Sequence, residues 1–129
     1  MIKIILLISI YFITFNNLFA ETKKAYFAGG CFWCMEESFD QINGVLSSTS
    51  GYSGGHLKNP KYEDVIYTDS GHVETIEITY DSSITNYKNL LQVYWKNIDP
   101  FDAEGQFCDK GKSYRSVIFF ENQNQKDLI

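Results

Sequence analysis

Arginine is almost missing from this sequence. Arg115 is the only one, and eleven basic side chains face sixteen acidic ones, for a formal net charge of −5. A nucleic-acid surface needs clustered Lys and Arg to neutralise phosphates; no basic stripe of that kind exists, which excludes nucleic acid as a partner. Paired cysteines are missing too, since there are only three: Cys31, Cys34 and Cys108. An odd number does not close a disulfide framework, so one thiol stays free and reactive or pairs with another chain. No composition shift marks a linker and no internal repeat occurs, so the 129 residues read as one domain's worth of chain. A long hydrophobic run is also lacking. Residues 4–15 are uncharged and apolar but fall short of the ~20 residues that a membrane-spanning helix needs.

With Lys3 ahead of that run and a short polar stretch ending in Ala20 behind it, residues 1–20 have the layout of a secretory signal peptide. Cleavage is expected after Ala20, with Leu18 an imperfect small-residue position, and an uncleaved membrane anchor is the alternative. The protein is therefore expected to be exported, periplasmic or secreted. Residues 21–129 remain as the folded part. Aromatic side chains are plentiful there; the chain has nine Tyr, ten Phe and two Trp, enough to build a small core from large pieces.

Along the chain, residues 24–28 (KAYFA) read as a short buried strand, followed by Gly29-Gly30, which permits a sharp turn. Phe32, Met35, Phe39 and Ile42 then recur at helical spacing, with Gly44 where a C-terminal cap belongs and Cys31 in the first turn. Residues 45–53 form a second strand and 54–61 a loop. In residues 72–80 (HVETIEITY) the alternation assigns faces: Val73, Thr75, Glu77 and Thr79 on one, Glu74, Ile76, Ile78 and Tyr80 on the other. Thr85 or Asn86 caps a helix with the stripe Leu90, Leu91, Tyr94, Trp95 and Ile98, ended by Asp99-Pro100. Residues 101–114 read as a loop, 116–120 as a last strand, and 121–129 as the beginning of a helix. This order suggests a two-layer α/β or α+β domain.

Two residues carry chemistry on this reading. A helix N-terminus presents unpaired N–H groups and a positive dipole end, which favour a thiolate, so Cys31 is a candidate nucleophile. The plainer alternative is an inert cysteine at a tight turn, or half of a structural disulfide with Cys34, one helical turn further on. Glu74 points to the apolar face, where a carboxylate is costly unless paired, protonated or put to work. Burial lets it hold a proton and give it up. Alternatively, Glu74 sits at a solvated strand end. A thiol nucleophile, a proton donor and an aromatic wall suit a sulfoxide: the thiolate attacks sulfur, the oxygen needs a proton, and an attached methyl group needs an apolar pocket.

Six blocks then fall in order: GCFW from Gly30, GYSGG from Gly51, NPKYEDV from Asn59, GHVETIEITYD from Gly71, LLQVYWKNIDP from Leu90 and DKGKSYRS from Asp109. Together they resemble the peptide methionine sulfoxide reductase A family over most of residues 21–129. The resemblance implies a two-layer α/β roll, ferredoxin-like, with a mixed sheet flanked by helices. It implies that Cys31 attacks the sulfoxide sulfur and Glu74 supplies the proton. Tyr62 and Tyr114 are implied as phenolic donors to the oxygen, Asp109 as the carboxylate on the polar side, and Phe32 and Trp33 as walls for the S-methyl group. The expected products are methionine, with selectivity for the S epimer, and a sulfenic acid on Cys31 that a second thiol resolves. Cys34 and Cys108 are the resolving candidates. No metal or organic cofactor is implied; electrons come from a thioredoxin-like reductant, and a monomer is expected. Many relatives carry resolving cysteines in a glycine-rich C-terminal tail, so residues 21–129 are expected to be a catalytic domain truncated at its C-terminus.

Two rivals remain. A thioredoxin-like thiol-disulfide oxidoreductase would use Cys31-Cys34, but Phe-Trp is a bulky insert, and neither Pro60 nor Pro100 follows a strand context that places a cis-proline against the thiols. A structural zinc site would combine the three cysteines with His56 or His72, yet the second half-site lacks paired spacing. His72 reads as structural.

Overall fold

The computed structural model describes residues 21–129; the signal-peptide reading of residues 1–20 lies outside them. Four strands form the main sheet. β1 (Thr22–Ala28), β2 (Val45–Ser53), β3 (Val73–Asp81) and β6 (Val117–Phe119) lie in the order β2-β3-β1-β6. The path from β1 to β2 runs through helix α1 (Phe32–Asp40) and leaves room for β3 between them. The path from β3 to β6 runs through α3 (Tyr87–Lys96) and straddles β1 in the same way. This interleaved pair of crossovers is the expected ferredoxin-like α+β roll. The sheet expected to be mixed is antiparallel at every pairing among the described residues.

The core lies between the sheet and the helices α1 and α3. Ala25 and Phe27 from β1, Ile76, Ile78 and Tyr80 from β3, Met35 and Phe39 from α1, and Leu90, Leu91 and Tyr94 from α3 are all buried in it. Phe27 is the centre, with its ring centroid 5.6 Å from that of Phe39 and 5.0 Å from that of Tyr94. The Tyr94 hydroxyl donates to the Ala28 carbonyl at 2.9 Å, so even this aromatic buries no unpaired polar atom. The inward face of β3 follows the alternation in its sequence.

Several expectations shift. α1 ends at Asp40, because Ile42 N–H bonds Phe39 O and Val45 N–H bonds Ile42 O, both at 3.0 Å, tightening the chain into turns. Gly44 is therefore no helix cap. It takes φ +96 in the turn into β2, where a Cβ would lie 2.9 Å from Ile84 Cγ2. Trp95 leaves the α3 stripe and is 45% exposed; Tyr87 is buried at the start of that helix. Asn86 is the N-cap, its side chain accepting from Asn89 N–H at 3.0 Å. A short helix α2 (Tyr62–Tyr67) was unexpected, since it buries only Val65 and so shows no apolar stripe. Asp64 accepts from Lys61 N–H at 2.8 Å and holds its first turn. The loop 101–114 contains a small hairpin, β4 (Gly105–Gln106) with β5 (Asp109–Lys110), and a 3-10 turn at Lys112–Tyr114. The last helix, α4, spans Gln123–Leu128.

Candidate active site

Cys31 owes its place to the two glycines before it. At Gly30, φ is +88 and a Cβ would lie 2.8 Å from Gln106 Cβ; at Gly29 it would lie 2.8 Å from Ile98 Cγ2. Only glycine fits such close approaches, so the chain can leave β1 and enter α1 within three residues. Cys31 is the N-cap of α1, one position before the first turn expected for it, and its carbonyl accepts from Met35 N–H at 3.2 Å. Its side chain makes no capping hydrogen bond. The half-buried sulfur therefore lies at a helix end whose first amides are free to meet other acceptors.

One acceptor is Glu74. Its Oε2 takes a hydrogen bond from Phe32 N–H at 3.0 Å, which brings the carboxyl beside the nucleophile across 42 residues of sequence. Glu74 is only 3% exposed, so the solvated-strand-end alternative is excluded. Burial raises its pKa above the ordinary 4.5; the Phe32 amide opposes the shift and the charge of Asp109 adds to it. A carboxyl held in this way keeps its proton to higher pH and can deliver it to a nearby oxygen.

Aromatic side chains surround this pair. The Phe32 ring is buried in the core and packs 5.5 Å from Trp33 and 5.8 Å from Tyr52, centroid to centroid. Trp33, 69% exposed, is an open wall. Tyr62 begins α2, and Tyr114 ends the 3-10 turn. The Tyr114 pKa is pushed well up, first by burial, then by contact with the Tyr62 hydroxyl and by the charges of Glu74 and Asp109. That coupling gathers Tyr62, Tyr114, Glu74 and Asp109 into one polar neighbourhood. Tyr52 also belongs to it. It sits directly opposite Glu74 in the β2-β3 register, and its pKa is raised by burial and by Glu74 and Tyr62. No expectation singled out Tyr52; its place in GYSGG was the available signal, and its pairing with Glu74 emerges only from the sheet register.

The other two thiols lie on another side of Cys31. Cys34 is exposed on α1, one helical turn beyond Cys31; hydrogen bonding with the Cys31 side chain raises its pKa most, followed by burial and by the charges of Cys31, Asp109 and Glu37. Cys108 is the second residue of the two-residue turn between β4 and β5, after Phe107, which takes the left-handed φ of +51. Cys31, Cys34 and Cys108 all line one cavity of about 290 Å³, together with Gln106, Phe107 and Asp109. All three cysteines are free thiols. A larger, open hollow of about 620 Å³, lined by Tyr80, Tyr87 and Gln125 among others, lies elsewhere and holds no cysteine.

His72 has a structural task. Its Nδ1 accepts from Gly55 N–H at 3.2 Å, and its Nε2 faces Leu57 O at 2.9 Å, so the ring is read as the Nε2–H tautomer that pins the glycine loop. A Cβ on Gly55 would lie 2.3 Å from the His72 ring. With both ring nitrogens engaged, His72 is not placed to complete a zinc site with the cysteines, and no group of three or more candidate ligands occurs among the described residues.

Comparison with known proteins agrees with this geometry. The family model for peptide methionine sulfoxide reductase matches residues 23–129. The chain is 50% identical over 106 residues to peptide methionine sulfoxide reductase MsrA 1 of Lactococcus lactis, covering 82% of this chain and 58% of that protein. It is 51% identical over 110 residues to MsrA of Bacillus licheniformis, covering 84% and 61%. The chain thus spans less than two thirds of the length of these relatives. Among solved structures, methionine sulfoxide reductase A of Corynebacterium diphtheriae matches with a TM-score of 0.77 at 29% identity, covering 83% of this chain and 50% of that one. Mxr1 of Saccharomyces cerevisiae in reduced form matches with a TM-score of 0.78 at 26% identity, covering 84% and 65%. A matched model over residues 23–129 and half-identical relatives, on top of the shared fold, place this chain in the peptide methionine sulfoxide reductase A family.

Proposed function

We propose that residues 21–129 carry the reaction centre of a methionine sulfoxide reductase that acts on the S epimer, free or in oxidised proteins. The observation that carries this reading is the bond from Phe32 N–H to the buried Glu74 carboxyl, which puts a proton donor beside the Cys31 thiol. The sulfoxide methyl group packs against Trp33 and the edge of Phe32. Its oxygen faces Glu74, Tyr62 and Tyr114, with Asp109 and Tyr52 completing the polar wall. As the Cys31 thiolate attacks sulfur, the oxygen takes the Glu74 proton, aided by the phenols. The oxygen ends on Cys31 as a sulfenic acid, and the methionine sulfur leaves as a thioether.

A second thiol then condenses with the sulfenic acid, and an external dithiol of the thioredoxin type restores both sulfurs. No metal or organic cofactor enters these steps. Residues 1–20 direct the chain out of the cytoplasm, so the reductant belongs to the same side of the membrane. The protein works as a monomer in repair of oxidised methionine.

The decisive assay compares reduction of a dabsylated methionine sulfoxide with reduction of insulin. Cys31→Ser abolishes the former, and Glu74→Gln slows it strongly while leaving disulfide exchange unaffected. Equal loss of both activities in Glu74→Gln, or insulin reduction alone in the unmodified chain, would favour the thiol-disulfide oxidoreductase instead.

A further inference from the structure

One side of β2 is open. In the order β2-β3-β1-β6 this strand pairs with β3 alone, and apart from Val45 N–H on Ile42 O no backbone hydrogen bond joins it to anything else among the described residues. In an antiparallel pair every second residue directs its N–H and C=O at the partner, so the alternate residues of β2 hold theirs out at the open side. Edge strands are commonly guarded against added chains by charge, proline, shortness or a bulge. β6, the opposite edge, has only three residues, whereas β2 has nine, none of them charged and none proline. Its one irregularity lies between Val45 and Ser47, at the end away from Tyr52, and the register is regular from Ser47 to Ser53. The unguarded half is therefore the half that adjoins the candidate active site.

The two faces of that half differ. Tyr52 shares a face with Glu74, its cross-strand partner, and with Phe32, whose ring lies 5.8 Å from its own; Trp33 packs on Phe32 beyond. Gly51 pairs with Thr75 and faces the other way, where a Cβ would meet nothing within 4 Å. Beside it is an open hollow of about 260 Å³, lined by Thr49, Ser53, Tyr26, Thr75 and Glu77 among others. An extended peptide laid against β2 alternates in the same way. When one of its residues stands level with Tyr52, that side chain falls on the aromatic face, and the next residue leans over Gly51 toward the hollow.

We propose that the open edge of β2, from Ser48 to Ser53, docks an oxidised protein substrate as an added strand. Peptide N–H and C=O groups pair with those of β2, the methionine sulfoxide stands level with Tyr52 with its side chain on the face of Phe32 and Trp33, and a neighbouring side chain fills the hollow over Gly51. This rests on the reductase reading above. Main-chain pairing suits such a substrate, because oxidised methionine occurs in unrelated sequences and backbone N–H and C=O groups are what all of them share. It requires the segment around the sulfoxide to be extended with its own backbone groups free, as in a loop or a chain terminus; a sulfoxide in the middle of a helix offers no such groups. Free methionine sulfoxide makes none of these contacts and depends on the pocket alone.

Backbone methylation of the substrate tests the proposal on the unmodified full chain, with excess dithiothreitol as reductant. Three end-blocked heptapeptides carry a central methionine S-sulfoxide: one plain, one N-methylated on the two residues adjacent to it, and one N-methylated on the two residues next but one. Only alternate residues of an added strand direct N–H groups at β2. One methylated peptide is therefore expected to lose about tenfold in kcat/KM, while the other stays within about twofold of the plain peptide. Gly51→Val, which introduces no steric clash, is expected to lower the ratio of peptide to free methionine sulfoxide reduction, most for a peptide with Leu or Phe beside the sulfoxide. Equal rates for all three peptides, or equal loss from both methylation patterns, overturns the proposal. So does a dimer in sedimentation that Gly51→Val dissociates, since the edge then belongs to a second copy. Failure to reduce free methionine sulfoxide strikes the reductase reading itself, so the two failures are distinct.

Discussion

Each side chain at this site acts through one dominant physical cause. For Glu74 the cause is burial, which favours the protonated acid. A rate that depends on that acid falls as pH rises through its raised pKa. Glu74→Gln is expected to lower single-turnover methionine formation by about 10²–10⁴-fold and to remove this alkaline limb, as a pH-rate profile would record. An unchanged limb in Glu74→Gln would assign it to another group. At Gly30 the cause is steric. Gly30→Ala meets both a left-handed φ of +88 and the Gln106 Cβ at 2.8 Å, and it is expected to destabilise the fold by about 1–3 kcal/mol in urea unfolding. Activity should fall further than stability alone predicts, because Cys31 is the next residue.

The elements that carry these residues have their own supports. α3 owes its start to Asn86, and Asn86→Ala is expected to cost about 1 kcal/mol, seen as a lower urea midpoint with an unchanged slope. α1 is held at its start by contacts outside itself, since neither a capping side chain nor an acidic residue occupies its first turn, and Glu74 takes up the Phe32 amide. The α1 and α3 stripes and the β3 alternation were legible because each buries one face against the same core. α2 was not legible, because a six-residue helix with one buried side chain has no period to detect. The hairpin of β4 and β5 escaped for a similar reason: two-residue strands are stabilised by Gln106 and by contacts with the rest of the fold, not by their own alternation.

At the scale of the molecule, the core and the site share parts. Phe32 belongs to both, as its ring closes the core while its amide and edge face Glu74 and Trp33. Truncating the ring stacked on the central Phe27 should therefore loosen everything together: Phe39→Ala is expected to cost about 3–5 kcal/mol, with far-UV circular dichroism and tryptophan fluorescence falling at one midpoint. The pH dependence of stability follows from Glu74. Because its folded pKa lies above the ordinary 4.5, the folded chain binds this proton more tightly than the unfolded one. The linked stability is complete below about pH 4.5 and is lost as pH rises through the raised value. Thermal melts of Glu74→Gln should lack that loss; a slope equal to that of the unmodified chain would place its origin elsewhere.

The order of residues along the chain determined much of this protein. Alternation in residues 72–80 turned Glu74 inward, the glycine pair set Cys31 at a helix end, and an odd cysteine count marked a thiol for chemistry, all through short-range geometry and burial. Tyr62, Tyr114 and Asp109 carried no such local mark and were readable only through resemblance. Tertiary structure alone decided that Glu74 meets the amide after Cys31, because that requires β3 to pair beside β1. It alone set Tyr52 opposite Glu74, and gathered three cysteines, two near one helix end and one 74 positions further along than Cys34, around a single cavity. Periodicity specifies which way a side chain points; which distant side chain it then faces depends on how the strands are interleaved.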